Sequence, residues 1–319
     1  MLNAQDVAAA AERISGYVRR TPVITVGAGE LAPNLGTGPL VLKLELLQRS
    51  GSFKARGAFH FLLTVRPRRV VTASGGNHGL AVAVAAAALD IKAEVFVPTA
   101  TPATKLDGLR AAGAVVREVG ADYADAAGAA VRHAEDRGLP YLPAYDHPAV
   151  VAGQGSAALE LLADAPDVDT VLVAVGGGGL LGGTVAALGG TVAALGGAGR
   201  AVRAVGVEPQ LCPTLHAALA AGAPVDVPVG GVAVDALGAR RLGMLPFELI
   251  SAAGVQSVLV SDEAILEART ALWRALRLAV EPAAAAALAA LRCGAYRPAP
   301  GERIGVLLCG GNASPAGLS

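Results

Sequence analysis

Thr170-Val-Leu-Val-Ala-Val-Gly-Gly-Gly-Gly-Leu180, continuing as Leu181-Gly-Gly-Thr-Val-Ala-Ala-Leu-Gly-Gly190, decides the fold. From Thr170 to Gly199 thirty residues pass without a charge, long enough to suggest a membrane span. Eleven of them are glycine, however, and they fall in blocks. Four consecutive glycines in hydrocarbon would leave backbone amides unsatisfied. The stretch divides instead into a buried strand (Thr170–Val175), a turn (Gly176–Gly179) and an Ala/Gly-rich helix, and no membrane association is expected.

The same alternation extends in both directions. Further strand candidates are Val41–Leu46, Val70–Ala73, Ala93–Val97, Val115–Val119, Leu139–Ala144, Val202–Val207 and Ile304–Cys309. Between them, Gly57–Leu63, Asn77–Leu89, Pro102–Ala112, Ala121–Arg137, Gly153–Ala163 and Asp262–Leu278 have helical spacing or strong helix formers. This order predicts an α/β fold of two domains with parallel or mostly parallel sheets covered by helices. No linker-like composition divides the 319 residues. The strand clusters suggest a large unit of residues 1–60 and 146–319 and a small one of residues 61–145.

Lys and Arg number 26, as do Asp and Glu, so the formal charge is zero. That argues against a sequence-independent nucleic-acid binder, which needs surplus cations. At 53% hydrophobic and 16% charged residues the chain can bury a core and is not disordered. Cys212, Cys293 and Cys309 are too few and too scattered for a disulfide framework or a zinc site. Asp6 and Glu12 interrupt the alanine-rich start, so no signal-peptide core is read there; a soluble, cytoplasmic protein is expected. Only Lys43, Lys54, Lys92 and Lys105 carry a primary amine on the side chain.

In parallel sheets ligands bind where strand ends turn into helix N-termini. At Gly176–Gly179 successive N–H groups can close around an anion, aided by the helix dipole. No Gly-Lys-Ser/Thr follows and no clean dinucleotide fingerprint is present; a flexible turn is the plain alternative. Val70–Ala73 leads into Ser74-Gly75-Gly76-Asn77-His78-Gly79, where backbone amides would again face an anion. Alone, Asn77 reads as a helix cap and His78 as a structural histidine. Ile304–Cys309 delivers a thiol to a strand end, or simply a small buried hydrophobe. In Gly51-Ser-Phe-Lys-Ala-Arg-Gly57, Lys54 lies between an aromatic and a small residue at a helix entry. A partly desolvated ammonium there has a lowered pKa and can form a Schiff base with an aldehyde; the alternative is an ordinary surface lysine.

Together these features resemble the fold-type II pyridoxal-phosphate enzymes, within them the serine/threonine dehydratase (threonine ammonia-lyase)/serine racemase group. Four blocks occur in the family order between about Arg20 and Asn312: Lys43–Gln48 leading to Ser52–Gly57, Ser74–Gly79, Gly176–Gly179, and Cys309–Asn312. The resemblance implies a tryptophan synthase β-subunit-like fold, pyridoxal 5'-phosphate as cofactor, a small amino acid as substrate, and a homodimer or higher homo-oligomer. It also implies that Lys54 is the Schiff-base lysine and that Phe53 borders the ring. Asn77 would bond the ring hydroxyl, Gly176, Gly177, Gly178 and Gly179 would cradle the phosphate, and Cys309 would stand against the pyridine nitrogen. The substrate carboxylate would sit on the turn of Ser74, Gly75, Gly76 and His78. Glu281 and Ala236 are further candidates near the site, with their roles open. The implied reaction is β-elimination from a β-hydroxy amino acid, L-threonine and/or L-serine, to a 2-oxo acid and ammonia.

The departures from the pattern sharpen this reading. Racemases of the group carry a serine at the position matching Gly75, a second acid/base that glycine cannot supply. Elimination is therefore expected, with a racemase or a non-catalytic ligand-binding relative as alternatives. Ala144-Tyr-Asp-His-Pro148 resembles the dehydratase version of its region. Val207-Glu208-Pro209 matches a block that begins a divalent-cation site in some relatives. Cys212 and Thr214 follow where a further acid is needed, so no metal is expected.

Gly-Gly-Thr-Val-Ala-Ala-Leu occurs twice in tandem, at Gly182–Leu188 and Gly189–Leu195. Seven residues are nearly two helical turns, so the copy lengthens the helix while rotating its face by only about 20°. The added turns extend the end away from the Gly176–Gly179 turn, and their glycines weaken them. Deletion of Gly189–Leu195 is expected to leave cofactor binding intact and stability equal or higher; thermal unfolding and cofactor titration of the deletion variant check this.

Overall fold

The computed structural model describes residues 2–32, 38–194 and 201–314. Within them nine strands occur: β1 (Val23–Val26), β2 (Leu40–Lys43), β3 (Arg69–Ala73), β4 (Lys92–Val97), β5 (Val115–Glu118), β6 (Thr170–Ala174), β7 (Arg203–Pro209), β8 (Gln256–Val260) and β9 (Ile304–Leu307). Six form one sheet in the order β1-β2-β9-β6-β7-β8, and the other three form a sheet in the order β3-β4-β5. Only β1 is antiparallel to its neighbour. β2, β6 and β9 are buried along their whole length, as strands covered on both faces must be. The last strand, β9, inserts between β2 and β6 and reverses the order of the sheet. In open parallel sheets such a switch point opens a crevice beyond the strand ends.

The α/β architecture is the expected one, and details differ; helices Ala4–Ile14, Thr214–Ala221, Met244–Ala252 and Pro282–Arg292 are additional to the expected ones. β1 and β8 were not anticipated; both are short edge strands with mixed exposure, which leaves little periodic signal. Leu139–Ala144 is not a strand. Only Tyr141 pairs, as an isolated parallel bridge to Val71, because Pro140 and Pro143 remove two ladder donors. The helices Lys54–Val65 and Pro148–Asp164 start earlier than their glycines suggested. Gly57 and Gly153 lie inside them, at a contact so close that a Cβ on Gly153 would stand 2.7 Å from Arg56 O. Helix Gly179–Ala194 holds the first heptad copy and most of the second; Leu195 lies outside the described residues. No helix among them is long and apolar enough to cross a membrane.

Beneath helix Lys54–Val65 four charged side chains meet. Arg56 donates to both oxygens of Glu45, at 2.7 and 2.7 Å, and to both oxygens of Glu160, at 2.8 and 2.8 Å. Lys43 Nζ completes the group at 2.6 Å from Glu160 and 2.8 Å from Thr21 O. Lys43, Glu45 and Arg56 are fully buried. The cluster is neutral overall and joins β2, the turn that follows it, and two helices. Removing one member strands charge in the core, which costs about 3–5 kcal/mol for a buried pair. Arg56→Met is therefore expected to destabilise the fold by that amount, measured by urea unfolding.

Candidate active site

The ends of β3, β4, β6 and β9 lead into a cavity of about 730 Å³, a volume typical of small-molecule sites. Backbone bonds zip the segment leading to Lys54 onto the segment after β9. Leu46 N–H donates to Leu308 O at 3.1 Å, Phe53 N–H to Cys309 O at 3.0 Å and Gly311 N–H to Gly51 O at 2.9 Å. Lys54, in the first turn of its helix, and Cys309 are thus fixed in one frame on the cavity wall.

Lys54 Nζ donates to Ala144 O at 2.8 Å and lies 5.1 Å from the centre of the Phe53 ring. Burial lowers its ammonium from 10.5 to about 8, although Glu281 pulls the other way. Burial also pushes the Cys309 thiol up, so it stays neutral. A primary amine with an accessible neutral form thus faces a neutral thiol.

The glycine turn meets the requirements of an anion cradle. All three of its leading carbonyls are held by protein donors: Gly176 O by Thr214 Oγ1 at 2.6 Å, Gly177 O by Gly243 N–H at 3.1 Å, and Gly178 O by Gly182 N–H at 2.7 Å. No peptide is cis, so each following N–H points away from its bonded carbonyl. Among the described residues none of those N–H groups has a hydrogen-bond acceptor. Gly176 to Gly179 all line the cavity. Gly178 has φ +86°, which favours glycine, and a Cβ on Gly177 would overlap the Tyr145 ring.

The second turn follows β3. Gly76, not Asn77, is the cap of helix Asn77–Ala88. Asn77 Nδ2 instead donates to both Glu281 oxygens, at 2.8 and 2.9 Å, and Asn77 Oδ1 accepts from Asn312 at 2.8 Å. Burial pushes the Glu281 carboxyl up, opposed by Asn77. Ser74 Oγ accepts from Gly76 N–H at 3.2 Å. Gly75 lies against Thr101, where a Cβ would be 3.1 Å from the Thr101 methyl. His78 lines the cavity, but its Nε2 is 2.9 Å from Thr72 Oγ1 and 3.1 Å from Leu142 O. Burial and Lys54 lower it to about 3, so the imidazole is neutral and has no acidic proton to give. Ala236 and Glu281 also face the cavity.

Glu208 lies elsewhere. Its carboxylate accepts from Leu215 N–H, His216 N–H and Ser257 Oγ at 2.6–3.2 Å, with Thr214 Oγ1 3.1 Å away, anchoring the start of helix Thr214–Ala221. The described residues gather no group of three metal-ligating side chains. Sequence reasoning missed Tyr145, whose ring packs on the cradle and whose hydroxyl donates to Arg241 O at 3.2 Å. It also missed Ala144 O, the partner of Lys54. The Ala144–Pro148 block was the available signal, but a backbone carbonyl leaves no trace in residue type.

The family model described as "Pyridoxal-phosphate dependent enzyme" matches residues 14–310, and the chain belongs to this family. It is 38% identical over 306 residues to an L-threonine ammonia-lyase of Geobacter sulfurreducens, covering 94% of this chain and 73% of that one. It is 35% identical over 312 residues to an L-threo-3-hydroxyaspartate ammonia-lyase of a Pseudomonas species, covering 96% and 94%. A solved threonine deaminase structure, from the organism abbreviated T.th., superposes with a TM-score of 0.87 at 37% identity, covering 98% and 99%.

The lowered Lys54 pKa predicts a pH signature in the cofactor-free protein. Between about 8 and 10.5 the unfolded chain still binds a proton that the folded chain has released, so stability rises with pH across that window. Below it, the folded state carries the full penalty of the buried ammonium. Urea unfolding of the wild type and Lys54→Met should show the variant's advantage greatest at pH 7 and shrinking toward pH 10.

Proposed function

We propose that this pyridoxal-phosphate-dependent enzyme removes water from a β-hydroxy amino acid, L-threonine or L-serine, releasing a 2-oxo acid and ammonia. The observation that carries the reading is Lys54, an amine lowered to about 8, in one cavity with a glycine turn whose carbonyls are all bonded elsewhere. Lys54, Asn77, Gly176–Gly179 and Cys309 would hold the cofactor, with Phe53 beside its ring. When bound, pyridoxal phosphate supplies an aldehyde for the amine and an electron sink for charge at the substrate α-carbon.

The chain supplies the rest. Near neutrality a useful fraction of Lys54 is neutral, so its Nζ can take and return a proton, as a base matched to working pH should. The cradle N–H groups would hold the phosphate end through the backbone. The neutral Cys309 thiol can donate or accept weakly but, unlike a carboxylate, does not favour proton uptake at the ring nitrogen, which disfavours transamination. Ser74 to His78, at the N-terminus of helix Asn77–Ala88, suits the substrate carboxylate. Gly75 offers no side-chain acid or base on its side of the site, which favours elimination over racemisation. The L-threonine and L-threo-3-hydroxyaspartate ammonia-lyases among the relatives support this substrate class. The three-stranded sheet supports residues 61–145 as the smaller domain, and free cysteines suit a reducing cytoplasm.

The test is 2-oxo acid release from L-serine, L-threonine and L-threo-3-hydroxyaspartate, combined with borohydride trapping and peptide mapping. The label is expected on Lys54, Lys54→Ala should lose at least about 10²–10⁴-fold in rate, and D-serine should appear far more slowly than pyruvate. Label on Lys43, Lys92 or Lys105 would overturn the site, and D-serine forming as fast as pyruvate would favour the racemase.

A further inference from the structure

Thr214 is fully buried behind the glycine turn, outside the residues that line the cavity. Its hydroxyl is 2.6 Å from Gly176 O and 3.1 Å from Glu208 Oε1. Glu208, at the end of β7, holds the next two residues through Leu215 N–H at 2.6 Å and His216 N–H at 2.8 Å. Val175, just ahead of the turn, is tied to the same strand by its N–H on Val207 O at 2.9 Å. Thr214 is therefore fixed on one side by β7 and bonded on the other to the first carbonyl of the cradle.

That placement has a directional consequence. The Gly176–Gly177 peptide is trans, so a carbonyl drawn to Thr214 turns the Gly177 N–H the opposite way, toward the cavity. Glycine residues resist peptide rotation least, so this orientation needs an external hold. The carbonyls of Gly177 and Gly178 are held by backbone donors. For Gly176 the donor is a side chain, which a substitution can remove.

We infer that Thr214 is a positioning residue for the cofactor phosphate, its hydroxyl fixing the Gly176–Gly177 peptide so that the Gly177 N–H can donate to the anion. The inference rests on the functional reading above. Pyridoxal, which lacks the phosphate, separates it from general destabilisation. Absorbance titrations of the full chain with pyridoxal phosphate and with pyridoxal, together with thermal unfolding, provide the test. Thr214→Val should weaken pyridoxal phosphate binding about tenfold and leave pyridoxal binding within about twofold. Thr214→Ser, which keeps the donor, should restore the wild-type ratio. If Thr214→Val does not fold, Thr214→Ala carries the same comparison. A valine or alanine variant that binds pyridoxal phosphate like the wild type, or that loses both ligands in equal proportion, overturns the inference. A wild type that binds neither ligand overturns the functional reading instead.

Discussion

Lys43, Glu45, Arg56 and Glu160 bury their charges together, and the placement of the reactive amine depends on that group. The Arg56 fork meets two carboxylates, each with both oxygens, and its planar geometry admits few other arrangements. Two residues along a helix turn the side chain by about 200°, so fixing Arg56 on the inner face presents Lys54 on the opposite one. One helix turn therefore carries two cations with opposite fates. Arg56 has every charge it needs, while Lys54 receives a single carbonyl and keeps a proton it can release. A buried ion cluster is weak evidence for stability; here its contribution is register.

The anion side of the site is built by the complementary device. The glycine turn itself carries no charge; the backbone is aimed instead, because the protein occupies its carbonyls from behind. Between the two sides lies Asn77, held by Glu281 and Asn312. Asn312 also donates to Ser50 O at 2.7 Å, so the turn before Lys54, the turn after β3 and the tail after β9 are joined through two side-chain amides. On the same cavity lining, half-buried Lys105 and exposed Asp235 meet at 3.0 Å, and a pair with one partner in solvent contributes little by itself.

Much of this was legible in the sequence where residue type alone carries the signal. Lysine is scarce, glycines cluster at strand ends, and the buried strands β6 and β9 are continuous apolar runs. The edge strands β1 and β8 were not legible, because half-exposed strands lack a clean period. Leu139–Ala144 misled because its apolar residues outweighed two prolines whose missing N–H groups decide the matter. Asn77 reads as a cap by position, yet its partners, Glu281 and Asn312, lie more than two hundred residues away. Glu208 sits in a block that resembles the start of a cation site, and its anchoring role is visible only from the three donors that converge on it. Bonds to backbone carbonyls, such as Lys54 to Ala144 and Thr214 to Gly176, are invisible until the chain is folded.

A cysteine inside an active site is ordinarily a liability, since thiolates attract alkylating agents and peroxides. Cys309 is only 2% exposed, and its surroundings disfavour the thiolate. It therefore offers, like a serine, a small neutral group with little of the nucleophilicity of a free thiolate, while hydrogen-bonding more weakly. Cys293, exposed and unpaired, presents itself to electrophiles first. An oxidative insult would mark the surface of this molecule well before it reached the chemistry inside.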